Sequence, residues 1–127
     1  MTRKQIQDEI KKTLGVVPTM FNQLPDSTLE LEWNLFKVSQ VAECPIPNKY
    51  RELIGLGIAS AIRCPYCTFF HTEMAKLNGA TPQEIEDACH VAKSSAGWST
   101  YISGTQIDLN TFKKEIQQIV EYQKAQR

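Results

Sequence analysis

Ten residues in mid-chain, Leu53-Ile-Gly-Leu-Gly-Ile-Ala-Ser-Ala-Ile62, carry no charge and are apolar nearly all round a helical wheel. The run is about half as long as a bilayer-spanning helix requires, so it is expected to lie inside a globular domain as a buried central helix. A strand is the alternative for so apolar a stretch, but its length and its Ala and Gly content favour a helix. Gly55, Gly57, Ala59, Ser60 and Ala61 lack bulk. Each glycine costs about 1 kcal/mol of helix propensity, which points to a neighbour packed unusually close.

The periodic signals on either side are helical too. Thr2 and Gln5 have capping-box spacing, and Ile6, Ile10 and Leu14 recur on one face until Gly15. Residues 16–25 hold two prolines and read as an ordered connector. Asp26 or Ser27 is the expected cap of a second helix through Leu29, Trp33, Phe36, Val38 and Val41, which Cys44-Pro45-Ile46-Pro47 must end. Pro47 or Asn48 then opens the central helix, which should reach about Arg63. Cys64 stands where an N-cap would, with Pro65 at the first helical position, and that helix should stop at Asn78-Gly79. Thr81-Pro82-Gln83-Glu84 is the clearest helix start: Thr81 caps, Pro82 follows and Glu84 closes the box. That helix continues through Ile85, Cys89, Val91 and Ala92 to Gly97 or beyond. A last one uses Leu109, Phe112, Ile116, Ile119 and Val120. With no internal repeat and no strand alternation, the expected fold is all-α: one compact domain over residues 1–127 with about six helices.

Charge narrows the function classes. The 127 residues hold 14 Lys and Arg against 14 Asp and Glu, and no basic block exceeds two residues. Neither nucleic acid nor an acidic membrane is therefore an expected partner. The first dozen residues mix Arg3, Lys4, Asp8, Glu9, Lys11 and Lys12, which no signal peptide's apolar segment tolerates. The expectation is a cytoplasmic protein. In that reducing setting Cys44, Cys64, Cys67 and Cys89 are not expected to form a structural disulfide framework. Two of them form a C-x-x-C, which turns attention to redox chemistry or metal binding.

On a helix Cys67 lies about 300° from Cys64 and His71 about 340°, so all three fall within about 60° on successive turns. Cys67 and His71 are i,i+4 neighbours, and Cys64 and Cys67 are close enough to form a disulfide. A helix start favours a thiolate through its unpaired N–H groups and dipole. An imidazole one turn on can take the thiol proton. Such a set can attack an electrophilic oxygen or sulfur, with the second cysteine closing a disulfide behind it.

Other readings of the same residues remain open. The two cysteines and His71 could supply three zinc ligands, with Cys44, Cys89 or His90 as a fourth. No second C-x-x-C or paired histidine follows, so the expectation is no metal and no cofactor. Haem attachment is excluded, because Thr68 stands where a histidine must follow the second cysteine. The cysteines could also be inert core residues. Cys-Pro-Tyr-Cys matches a glutaredoxin tetrad, but the strands such a fold needs are missing.

Including Glu52, the pattern is Glu52, eleven residues, Cys64-Pro-Tyr-Cys67, three residues, His71. It resembles the E-x11-C-x-x-C-x3-H signature of the AhpD-like alkylhydroperoxidases in the carboxymuconolactone decarboxylase superfamily. The likeness is firm over 45–92, its core, and weaker over 15–33. It implies thiol-dependent hydroperoxide reduction, with a hydroperoxide as substrate and an external thiol or dithiol as reductant. Cys67 would attack, Cys64 would resolve, His71 would accept the Cys67 proton, and Glu52 would orient His71 or relay protons through it. Physically, a carboxylate on so apolar a helix needs a partner, and an imidazole from the next helix would supply one; the bland reading leaves Glu52 exposed near the helix start. The resemblance also implies a homo-oligomer, a trimer or a hexamer built as a trimer of dimers. Where the best-known peroxidases of the group carry a histidine between the cysteines, this chain has Tyr66, a candidate proton relay. A phenol titrates about three units above an imidazole, so it is a poorer shuttle near neutrality.

Two alternatives come from other function classes. One is a non-enzymatic helical oligomer that senses redox state or binds a small apolar ligand, and the other a decarboxylase-like member acting on a lactone. Phe69 and Phe70 could line a channel to Cys67, joined by Met20 and Phe21 from the connector, although core packing also explains the phenylalanines of the helices. Cys89 is expected in the core, His90 in solvent, and Cys44 has no readable role.

Overall fold

Local caps set most element boundaries in the computed structural model, which describes residues 1–127 and contains helices only. Two compact units make up the chain, Met1–Arg51 and Glu52–Arg127. No helix is long and apolar enough to cross a membrane.

In the first unit α1 (Arg3–Leu14) has the full capping box: Thr2 accepts from the Gln5 N–H, and the Gln5 side chain accepts from the Thr2 N–H. Gly15 ends it at φ +82°, a left-handed conformation that costs glycine little. The connector contains a one-turn helix, α2 (Thr19–Asn22), opened by Pro18, which brings the count to seven rather than about six. α3 (Asp26–Phe36) is preceded by Pro25, with no side-chain cap. The expected cap Asp26 lies inside the first turn and pairs with the Arg3 guanidinium. Beyond Phe36 the chain widens into a π-helical turn, Lys37–Val41, closed by Ala42 N–H to the Lys37 carbonyl at 2.8 Å. Arg51 donates to the Ser39 carbonyl within that turn. α1 packs on α3, burying Ile6, Ile10, Phe21, Leu29 and Trp33. Phe21 meets Trp33 and Phe36 edge-on, with centroids 5.5 and 5.3 Å apart.

α4 (Asn48–Ala61) stops two residues before the expected Arg63. The Cys64 N–H reaches back to the Ala59 carbonyl at 3.0 Å, with Arg63 left-handed at φ +58°. Its apolar segment is not covered all round. Glu52, Leu56 and Ala59 share the buried face, whereas Ile54, Ile58 and Ile62, on another side of the wheel, are 50%, 57% and 68% exposed.

Next come α5 (Pro65–Leu77), α6 (Pro82–Gly104) and α7 (Leu109–Ala125). Gly79 at φ +88° follows α5 as expected. Thr81 accepts from the Glu84 N–H at the start of α6. Asp108 caps α7 by accepting from the Thr111 N–H at 2.9 Å, which holds its carboxyl below the usual range. Neither α6 nor α7 buries a residue fully, so Cys89, expected in the core, is exposed. Gly57 does meet α6 closely: a Cβ there would stand 3.8 Å from the Ala88 carbonyl and the Ala92 methyl.

Candidate active site

The second unit brings Glu52, Cys64, Cys67 and His71 to the α4–α5 pair as two couples. Cys64 is the N-cap of α5, with Pro65 next, where a missing N–H is harmless. Its sulfur accepts the Cys67 backbone N–H at 3.2 Å and lies 2.7 Å from the Cys67 sulfur. No disulfide joins the two cysteines, and both are half-buried. The Cys67 thiol, and after it the Cys67 backbone N–H, hold the Cys64 thiol below the ordinary cysteine value. Sharing a proton with Cys64 pushes Cys67 up, reinforced by desolvation and by the Cys64 charge. Cys64 is the sulfur at the positive end of α5, a position that favours a thiolate.

The second couple joins α4 to α5. Glu52, 4% exposed, places Oε2 2.7 Å from Nδ1 of His71. A carboxylate there keeps the proton on Nδ1 and leaves Nε2 as the basic nitrogen. Gly55 makes the approach possible. A Cβ at that position would lie 2.5 to 2.7 Å from three atoms of the imidazole, so the ring occupies the space a side chain would fill. Phe70 braces the ring edge-on, with centroids 5.2 Å apart. No hydrogen bond links His71 to either sulfur; the two couples sit on successive turns of α5.

Cys64 lines a shallow cleft of about 720 Å³ together with Arg63, Pro65, Thr68 and Phe69. Tyr66 is 86% exposed, and its hydroxyl bonds to neither thiol. Phe21 belongs to the core of the first unit, where Met20 is exposed. Cys44 donates to the Val38 and Ala42 carbonyls at 3.3 and 3.7 Å. No three His, Cys, Asp or Glu side chains converge as metal ligands. Arg63 is the site neighbour that pattern reading passes over, because its relevance comes from the cleft rather than from a motif.

The sequence profile of the carboxymuconolactone decarboxylase family matches residues 23–107, about two thirds of the chain. Among solved structures, the chain is similar to the alkylhydroperoxidase AhpD core from Rhodospirillum rubrum ATCC 11170. The two are 26% identical with a TM-score of 0.71, over 84% of this chain and 81% of that one. No curated protein matches.

Proposed function

The chain belongs to the carboxymuconolactone decarboxylase family, and from that membership we propose that it reduces hydroperoxides with Cys64 and Cys67, reset by an external thiol or dithiol. The observation that carries this reading is the approach of the two sulfurs to 2.7 Å at the start of α5. The likeness to an alkylhydroperoxidase core supports it. A thiolate takes the outer peroxide oxygen: an S–O bond forms, O–O breaks, and the alkoxide leaves as alcohol after gaining a proton. The second thiol attacks the sulfenic sulfur, water departs, and the disulfide forms. Two electrons from external thiols restore the pair.

By resemblance Cys67 attacks first and Cys64 resolves. The Cys67 N–H that faces the Cys64 sulfur would suit the reverse order as well, and single-cysteine variants separate the two. His71, held by Glu52 through Nδ1, serves as the base through Nε2. The proposal includes a cytoplasmic setting and a homo-oligomer. The exposed Ile54, Ile58 and Ile62 stripe supports the latter, and a monomer by light scattering would overturn it.

Intact mass of the reduced protein after one equivalent of cumene hydroperoxide tests the chemistry. The expected result is loss of two hydrogens, mapped to a Cys64–Cys67 disulfide. Glu52→Gln should slow that oxidation about a hundredfold without unfolding the chain. Two intact thiols in the parent protein would overturn the reading, and unchanged kinetics in the variant would remove Glu52 from it.

A further inference from the structure

Side chains from beyond it hold the one wide turn of the chain, Lys37–Val41. The Lys37 carbonyl accepts the Ala42 N–H at 2.8 Å. The next two carbonyls take side-chain donors: Val38 accepts from the Cys44 thiol at 3.3 Å, and Ser39 from the Arg51 guanidinium. Turns of this kind are rare, and their spare carbonyls need partners. Arg51 is fastened at both ends, because its own N–H donates to the Pro47 carbonyl at 3.1 Å where α4 begins. The next residue on α4 is Glu52, 4% exposed, with Oε2 2.7 Å from Nδ1 of His71. The guanidinium bonds to the turn and not to that couple. A movement of α4 by about 1 Å away from His71 would carry Glu52 out of hydrogen-bond range.

We infer that Arg51 is a positioning residue: its bond to the Ser39 carbonyl fixes the rotation and height of the first turn of α4, and so places the Glu52 carboxylate on Nδ1 of His71. Arg51 acts through Glu52 and touches no reacting atom. Its effect on rate rests on the peroxide-reducing reading; its effect on the Glu52–His71 bond does not.

The test uses the full reduced chain and two variants. Arg51→Met keeps an unbranched stem and removes the donor, whereas Arg51→Lys keeps a donor for the same carbonyl. The first readout is the His71 Nδ1 proton in the NMR spectrum, set apart from that of His90, the other histidine, which is exposed. It should be sharp and far downfield in the parent, broadened by exchange with water in Arg51→Met, and recovered in Arg51→Lys. No such resonance in the parent, or an unchanged one in Arg51→Met, overturns the inference. The second readout is single-turnover oxidation by cumene hydroperoxide. Arg51→Met should slow it about tenfold, and should slow it no further when added to Glu52→Gln. Equal slowing in both backgrounds would mean that Arg51 does not act through Glu52, and overturns the inference. So does an Arg51→Met chain that circular dichroism shows to be unfolded, since Arg51 would then serve the fold at large. If peroxide leaves the parent thiols intact, the peroxide-reducing reading fails, and the His71 resonance still decides the role of Arg51.

Discussion

The two units of the chain use their interiors differently. Met1–Arg51 packs Ile6, Ile10, Phe21, Leu29 and Trp33 into an aromatic-centred core, with Leu14, Val17, Leu24 and Phe36 around it. In Glu52–Arg127 the fully buried residues are Glu52, Leu56, Ala59 and Ala75, so one large apolar side chain accompanies a carboxylate and two alanines. Trp98, Tyr101, Ile119 and Val120 stay exposed on the same unit. A core of large apolar groups contributes stability in proportion to the area it removes from water. A buried carboxylate contributes little net stability even when paired, because desolvation offsets much of the attraction. The first unit's interior is given to large apolar side chains, whereas the second's holds the carboxylate that pairs with His71.

The largest effect should come from the first unit. Trp33→Ala is expected to cost about 3–5 kcal/mol, read from the midpoint of urea unfolding by circular dichroism. A loss below about 1 kcal/mol would break the contrast, since Trp33 is 1% exposed at the centre of that core.

Within the second unit two glycines on one helix sharpen it. Gly55→Ala should slow oxidation by peroxide at least about tenfold, because its Cβ displaces the imidazole and 1.4 kcal/mol of barrier suffices for that factor. The ordinary helix preference for alanine acts the other way on stability, so folding and rate should part company. Gly57→Ala, whose Cβ meets only ordinary contacts at 3.8 Å, should raise stability by up to about 1 kcal/mol. Equal rates in the two variants would mean that His71 does not need the slot at Gly55.

A smaller effect concerns protons. Alkylation of Cys64 should reach half its maximal rate below the pH typical of cysteine, and that of Cys67 above it. Cys67→Ala should move the Cys64 midpoint upward by removing the principal donor to its thiolate. Since folding depresses the Cys64 value, its thiolate stabilises the reduced fold above the ordinary cysteine value. That contribution is lost as pH falls through the lowered one. Equal midpoints for the two thiols would mean that the contact between the sulfurs does not set their titration apart.

Legibility followed the range of the interactions. Thr2, Gly15, Gly79 and Thr81 act within one turn, and each ends or starts a helix as its neighbours in sequence indicate. Asp26 is not the cap because α3 begins one residue earlier, with Pro25 at the cap position, and its carboxylate pairs with Arg3, 23 residues away. The π-helical turn at Lys37–Val41 likewise involves Arg51, which no local pattern connects to it. At the candidate site, spacing put Cys64, Cys67 and His71 on one face of α5. It could not divide them into a sulfur couple and a carboxylate–imidazole couple, since the second needs α4 to approach at Gly55.

By itself the sequence determined the all-helical class, most of the caps, and a reactive-looking C-x-x-C at a helix start with a histidine one turn on. Those properties depend on hydrogen bonds and rotations within a few residues, which the order of side chains specifies directly. Only the tertiary structure decided that Glu52 meets His71, that the two sulfurs stand apart from that pair, and that one face of the apolar segment stays uncovered. Each of these depends on where separate helices leave space, and that space is set by packing between residues far apart in the chain.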